Sequence, residues 1–265
     1  LGNDELTYEK KHELNLGFDA GFLNNRINFA LDWYTRNNYD LIGLIRTTGA
    51  GGQIEKLANV ASMKSHGVEF TLSTKNIQTK DFSWTTDFIF SYSKTKVTDL
   101  QTNSKVIDLV SGTGFALEGY PVRGLFSYKF NGLSDKGYPV ITDQNGNVTS
   151  NGEDIDFQSQ TLDNLVYEGP SDPTTTGSLG NIFRYKNFRL NVFITYSFGN
   201  VVRLDPVFKE KYTDLTAMPK EFKNRFVQAG DENITDIPVI LTNAQVTRDN
   251  YLKTLYNAYN YSTAR

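Results

Sequence analysis

Long stretches in which apolar and polar residues strictly alternate constrain this chain more than any other feature. Successive side chains on a strand point to opposite faces, so each stretch must be a strand with one apolar and one polar side. In KHELNLGFDAGFLNNRINFALDWYTRNN, His12, Leu14, Leu16, Phe18, Ala20 and Phe22 share one face, and Glu13, Asn15, Gly17, Asp19 and Gly21 the other. Leu23 to Arg26 read as a tight turn built on Asn24 and Asn25, after which Ile27, Phe29, Leu31 and Trp33 alternate with Asn28, Ala30, Asp32 and Tyr34. A long antiparallel hairpin follows.

The pattern recurs after the glycine-rich TTGAGGQ. Val68, Phe70 and Leu72 alternate with Gly67, Glu69, Thr71 and Ser73, and the turn KNIQTKD leads to Trp84, Thr86, Phe88, Phe90 and Tyr92 opposite Ser83, Thr85, Asp87, Ile89, Ser91 and Ser93. A third pair opens weakly with TTGSLGNIFRY, turns at Lys186 and Asn187, and closes with Leu190, Val192, Ile194, Tyr196 and Phe198 opposite Asn191, Phe193, Thr195, Ser197 and Gly199. The expected hairpins lie near 8–42, 63–97 and 174–200, separated by long connections over 43–62, 97–172 and 200–265. Strands of about ten residues or more, joined alternately by short turns and long loops, fit a membrane β-barrel better than a sandwich, whose strands cluster near five or six residues.

Composition supports strands and turns. Aromatics make up 13%, with Phe and Tyr far ahead of Trp, while a hydrophobic content of 38% is too dispersed for membrane helices. The N-terminus LGNDELTYEKK has no signal-peptide pattern. The absence of cysteine excludes disulfides, thiolate nucleophiles and cysteine-ligated metals. A net charge of −3 without a run of Lys and Arg gives no reason to expect nucleic acid or another polyanion.

Catalytic signals are weak. His12 and His66 are the whole imidazole supply, and neither has a partner at triad or metal-ligand spacing, so both read as structural. In TDQNGNVT, Asp143, Asn145 and Asn147 alternate as calcium ligands do, but the glycine and glutamate of a calcium loop are lacking, and a type I′ hairpin at Asn145–Gly146 is the favoured reading. AMPKEFKNRFVQAGD suggests a short amphipathic helix, with Pro219 near its start, Phe222 and Phe226 four apart, and Gly230 at its C-cap; it packs on an outer loop or, alternatively, meets a lipoprotein.

YEKKHELNLGFDAGFLNNRINFALDWYTRNNYDLI resembles the recurring strand pair of SusC/RagA-like TonB-dependent transporters. NVASMKSHGVEFTL, EGYPVRGLFSYKFNGL and GSLGNIFRYKNFRLNVFITYSFGN follow in that family's order, so the resemblance covers residues 1–200 well and the remainder in outline. It implies an all-β fold: part of an antiparallel transmembrane barrel of about 22 strands with long extracellular loops, the plug domain and closing strands lying outside this chain. It further implies nutrient import across a Gram-negative outer membrane, of oligosaccharides or peptides, with a SusD-like lipoprotein, the TonB–ExbB–ExbD complex, and surrounding lipid and lipopolysaccharide as partners, and with no cofactor or catalytic residue.

On that reading Glu13, Asp19, Asp32, Glu69 and Asp87 face the lumen. Leu14, Leu16, Phe18, Phe29, Trp33, Phe70, Trp84, Phe88, Phe90 and Tyr92 face lipid. Tyr120, Phe126 and Tyr128 lie where a family loop enters the outer vestibule and are candidate substrate contacts. Periodicity alone leaves two rivals open. One is a soluble, secreted β-sandwich that binds carbohydrate; the other is a β-rich glycoside hydrolase, for which no spacing pairs any two of the carboxylates.

Overall fold

A computed structural model describes residues 6–46, 55–101, 105–111, 115–205, 209 and 220–262. The strands are β1 (Lys10–Phe22), β2 (Ile27–Arg46), β3 (Glu55–Gln78), β4 (Phe82–Leu100), β5 (Gly124–Tyr128), β6 (Phe130–Leu133), β7 (Pro139–Thr142), β8 (Val148–Thr149), β9 (Leu165–Pro170), β10 (Thr175–Tyr185) and β11 (Phe188–Phe198). The helices are α1 (Val106–Val110), α2 (Asn243–Arg248) and α3 (Asn250–Asn260). The chain divides into two compact units, the first holding residues 1–103, 116–122 and 172–200, and the second 104–115, 123–171 and 201–265.

The first unit is a six-stranded antiparallel sheet in the order β1-β2-β3-β4-β10-β11. Its register is what the alternation demands. Phe18 pairs with Leu31, Leu31 with Phe70 and Phe70 with Phe90, so one apolar face runs from strand to strand. Phe90 pairs with Gly177 and Gly177 with Tyr196, carrying that face to β11. Ring contacts knit it together: Phe29 lies 6.3 Å from Phe70, Phe70 6.1 Å from Phe88, and Phe88 6.5 Å from Tyr196.

The turns close these strands by local chemistry. Asn24 and Asn25 take left-handed φ values of 55° and 58°, which asparagine tolerates well, and the Arg26 amide donates to the Phe22 carbonyl at 3.0 Å. Near the short turns, the otherwise apolar face carries one polar chain: Asn181 Oδ1 accepts from Trp84 Nε1 at 2.9 Å and Thr86 Oγ1 at 2.8 Å, beside a Trp84–Phe183 stack at 5.6 Å.

Two segments expected to be loops are partly strand. β2 runs on to Arg46 and β3 begins at Glu55, so much of 43–62 extends the β2–β3 pairing, with a register shift near Leu41. The alternation fades there, because Leu41-Ile42-Gly43-Leu44-Ile45 has apolar residues on both faces and a period-2 reading cannot see a strand. The stretch 97–172 likewise contains the end of β4, helix α1 and the small strands β5 to β9.

The second unit has its own interior of Leu109, Val110, Leu125, Tyr128, Ile141, Leu255, Tyr256 and Tyr259, all buried. α3 was not foreseen from the sequence. Asp249 caps it, its Oδ1 accepting from the Tyr251 amide at 2.9 Å and the Leu252 amide at 3.0 Å, and Leu255, Tyr256, Ala258 and Tyr259 form its buried stripe. The helix expected around Phe222 is instead a short 3-10 turn, Lys220–Asn224; Pro219 lies outside the described residues. Phe222 and Phe226 are both buried, and Gly230, at φ 103°, precedes a further 3-10 turn and does not end a helix.

Arg203 ties this unit together. Its Nη1 donates to Ser127 Oγ at 2.8 Å and to the Tyr261 carbonyl at 3.0 Å, while Nη2 donates to the carbonyls of Val110 and Phe126, the former at 2.7 Å. One planar fork thereby joins α1, β5 and the end of α3, using donors that a lysine could not spread so widely. Burial pulls the guanidinium down to about 10, with Glu168 acting in the opposite direction. Arg203→Met should strand these carbonyls and cost about 2–4 kcal/mol. Hydrogen exchange on the intact protein checks this: protection should fall together in β5 and α3, and unchanged protection in both would contradict the clamp.

Candidate functional site

The face of the six-stranded sheet opposite the aromatic belt is polar, and the register gathers there Glu13, Asp19, Asp32, Glu69 and Asp87. Glu13 stands opposite Arg36, Gly17 opposite Asp32, Asp32 opposite Glu69, and Ser73 opposite Asp87. Arg36 Nε donates to Glu13 Oε1 at 2.7 Å, and Lys11 also pairs with Glu13. Ser73 Oγ donates to Asp87 Oδ1 at 2.7 Å. Asp32 and Glu69 oppose each other as like charges, an arrangement a sheet tolerates where the face is wet.

Tyr34 organises the middle of this face. The Arg36 guanidinium lies 4.0 Å over its ring, its hydroxyl donates to Ser93 Oγ at 3.0 Å, and only 5% of the residue is exposed. The ring lies flat because Gly67, its registered neighbour on β3, leaves room. A Cβ there would come within 2.5 Å of both the Tyr34 hydroxyl and the Tyr92 carbonyl. A glycine inside an alternating strand was the sequence signal for this close approach.

Towards the short turns the same face holds an open recess of about 700 Å³ lined by Asp19, Asn25, Asn28, Thr71, Ser73 and Asp87. It offers carboxylate acceptors, amides and the hydroxyls of Thr71 and Ser73. Among the described residues no group of three or more His, Asp or Glu side chains is placed to hold a metal ion. His12 packs edge-on against Tyr39, ring centres 5.5 Å apart.

The register places Leu14, Leu16, Phe18, Phe29, Trp33, Phe70, Trp84, Phe88, Phe90 and Tyr92 together on the apolar face. Leu16, Phe18 and Trp33 are well exposed although apolar. The candidate substrate contacts fare differently. Tyr120 is half-buried and hooked by its carbonyl to the Val97 amide at 2.9 Å, at the end of β4 away from the short turns. Phe126 and Tyr128 are instead spent on the second unit's interior, at 3% and 1% exposure, with Phe126 5.3 Å from Tyr167 and Tyr128 5.4 Å from Phe157. Burial pushes the Tyr128 phenol up, as expected of a hydroxyl shut away from water. Neither ring can reach a substrate without unpacking that core, so the vestibule role expected for them is withdrawn.

The Asp143 loop is a hairpin between β7 and β8, as expected, but not of type I′. Only Gly146 has a positive φ, 84°, and its amide donates to the Asp143 carbonyl at 3.2 Å, which is a type I turn followed by a left-handed glycine. Asp143 Oδ1 accepts from the amides of Asn145 and Asn147, each at 2.8 Å, so the carboxylate serves its own turn. Burial pushes that carboxyl up, but the amides of Asn147 and Asn145 outweigh it and hold the group below the usual carboxylate range. A carboxyl that binds its proton less tightly when folded adds stability above the ordinary carboxylate range and loses it as pH falls through the lowered folded value. Protection of the Asn145 and Asn147 amides, taken relative to the intrinsic rate at each pH, should therefore fall on acidification from pH 6 to pH 2.5, and Asp143→Asn should abolish that pH-dependent fall. A pH response identical in the two proteins would refute the assignment.

Comparison with known proteins decides among the readings left open by periodicity. TonB-dependent receptor P3 of Formosa agariphila is 30% identical over 219 residues, covering 76% of this chain and 22% of that receptor. TonB-dependent receptor SusC of Bacteroides thetaiotaomicron is 27% identical over 219 residues, covering 77% of this chain and 21% of the receptor. The solved RagAB peptide transporter superposes on 91% of this chain and 27% of its own, with a TM-score of 0.70 at 24% identity. This chain belongs to the SusC/RagA-like TonB-dependent receptors. No family model matches it. The receptor segment spans about a fifth of the length of the curated relatives it matches. Its six-stranded sheet is accordingly part of a barrel wall, and β1 and β11, which are edges here, are strands that a closed barrel pairs on both sides.

Proposed function

We propose that this segment forms part of the wall of an outer-membrane importer that takes up oligosaccharides or peptides by a TonB-dependent route, with a SusD-like surface lipoprotein as its capture partner. The observation that carries the reading is the continuous apolar face, well exposed on β1, β2 and β11 and half-buried on the strands between, while the opposite face collects carboxylates, amides and hydroxyls. In water such a face would have to be buried; in a bilayer it is the surface that meets lipid. The lipid side is then that of Phe18, Phe70 and Phe90, and the lumen side that of Asp19, Asp32, Glu69 and Asp87. The ends joined by short turns face the periplasm, and the ends of the strands that lead into the long connections, with Tyr120 beside β4, face the cell exterior.

The reading needs no catalytic step. Force applied through TonB to a plug supplies the work, and the wall supplies a polar, hydrated inner surface along which a hydroxyl- or amide-rich solute can exchange hydrogen bonds. The peptide class is the one that the name of a structural neighbour, the RagAB peptide transporter, carries.

Full-length protein expressed in its own cell should sediment with the outer membrane, resist salt and carbonate washing, and migrate faster on gels when unheated. Deleting its gene should abolish growth on one class of oligosaccharide or peptide as sole nutrient, and a gene copy carrying the wild-type segment should restore it. Recovery of the full-length protein in the soluble periplasm would sink the proposal.

A further inference from the structure

The linear sequence has no basic run, yet the register assembles one. Above the Trp33–Val68–Tyr92 row of the apolar face, the next row toward the long connections is Leu14–Thr35–His66–Lys94, and the row beyond is His12–Asn37–Lys64–Lys96. No register shift interrupts these rows between Val68 and Lys64, so Lys64, His66, Lys94 and Lys96 point to the same side as the aromatic belt. All are exposed. Directly opposed residues sit about 5 Å apart and successive rows about 7 Å apart, which places Lys64, Lys96, Lys94 and His66 around a space the size of a phosphate.

Like charges in direct register destabilise a sheet unless something anionic lies between them. Among the described residues none of these lysines makes an ion pair within 4 Å. Lys10, on the same strand as His12, is already paired with Asp40 at 2.7 Å, Glu13 and Glu69 belong to the opposite face, and Asp99, the nearest acid along β4, is registered with Ser62 beyond a bulge. The other end of the apolar face is built differently. There Trp84, Phe183 and Leu190 border a neutral cluster of Asn181, Thr86 and Asn76, while Arg184 and Arg189 are paired on the polar side. A single lysine, Lys186, borders the apolar face at this end, lying 5.4 Å over the Tyr185 ring, so the clustered cations are those at the end toward the long connections.

We propose that Lys64, Lys94 and Lys96, with His66, form a lipid-facing site for the phosphate of the glycolipid in the outer leaflet. The proposal rests on the importer reading, which makes this end of the belt the outer one and this face the lipid face. An ammonium cluster at headgroup depth would neutralise the phosphate while the adjoining Trp33, Tyr92 and Phe90 rows take the acyl chains. It would also anchor the barrel at a fixed depth in a leaflet whose headgroups are anionic.

The test uses the full-length receptor, purified in detergent and delipidated, with native mass spectrometry reading retained lipid A before and after its phosphate is removed enzymatically. Wild type should retain the phosphorylated lipid at least fivefold better than the dephosphorylated one. Lys64→Gln/Lys94→Gln/Lys96→Gln should lose at least fivefold of that retention, and Arg184→Gln/Arg189→Gln, on the polar face, should lose none. If the triple variant does not fold, Lys96→Gln alone should lower retention at least twofold. Equal retention of both lipids by wild type, undiminished retention by a folded lysine variant, or equal competition by phosphatidylglycerol vesicles would overturn the site. Unheated gel mobility separates the two ideas: a receptor that never forms a barrel counts against the importer reading, and a folded barrel indifferent to the lysines counts against this site alone.

Discussion

Backbone hydrogen bonding in an apolar medium governs everything else in this segment. Inside a bilayer an unpaired amide or carbonyl has no water to turn to, so strands can cross only if every neighbour pairs with the next and the sheet closes. Pairing fixes the register, and because side chains alternate with a period of two, the register decides which residues meet lipid and which meet water. A slip of one residue of β4 against β3 would put Asp87 into the belt and Phe88 and Phe90 into the lumen. The strictness of the alternation is the sequence-level trace of that penalty.

That trace explains what could be read in advance. The three hairpins around Asn24–Asn25, Lys80–Asp81 and Lys186–Asn187 were legible because turn residues and alternation agree, and the sorting of Phe18, Phe70 and Phe90 from Asp19, Glu69 and Asp87 follows from counting alone. The upper parts of β2 and β3 were not, because once the strands no longer separate two solvents, as at Leu41 to Ile45 and Leu57 to Ala61, alternation relaxes and a bulge can shift the register. The second unit was the least legible: its strands are short, and α3 announces itself only by Asp249 and a four-residue spacing of apolar side chains.

The misplaced candidates have the same origin. Phe126 and Tyr128 were singled out as aromatic residues in a loop, but a loop this long builds its own interior, and bulky rings are the first residues recruited to it. Arg203 went unnoticed because a lone arginine carries no motif; its importance lies in the carbonyls that three separate segments present to it. The lysine patch is the converse case, invisible along the chain and evident only when neighbouring strands are laid side by side.

The central claim is that one face of the sheet meets lipid and the other meets water. It is tested most directly on consecutive positions of β4, with Asp87→Cys, Phe88→Cys, Ile89→Cys and Phe90→Cys made singly in the full-length receptor in its own membrane. A membrane-impermeant, water-soluble maleimide supplied to both sides should label positions 87 and 89, and a lipid-soluble probe confined to the bilayer should label positions 88 and 90. Water-soluble labelling at all four positions, or protection of positions 88 and 90 from both reagents, would contradict the account.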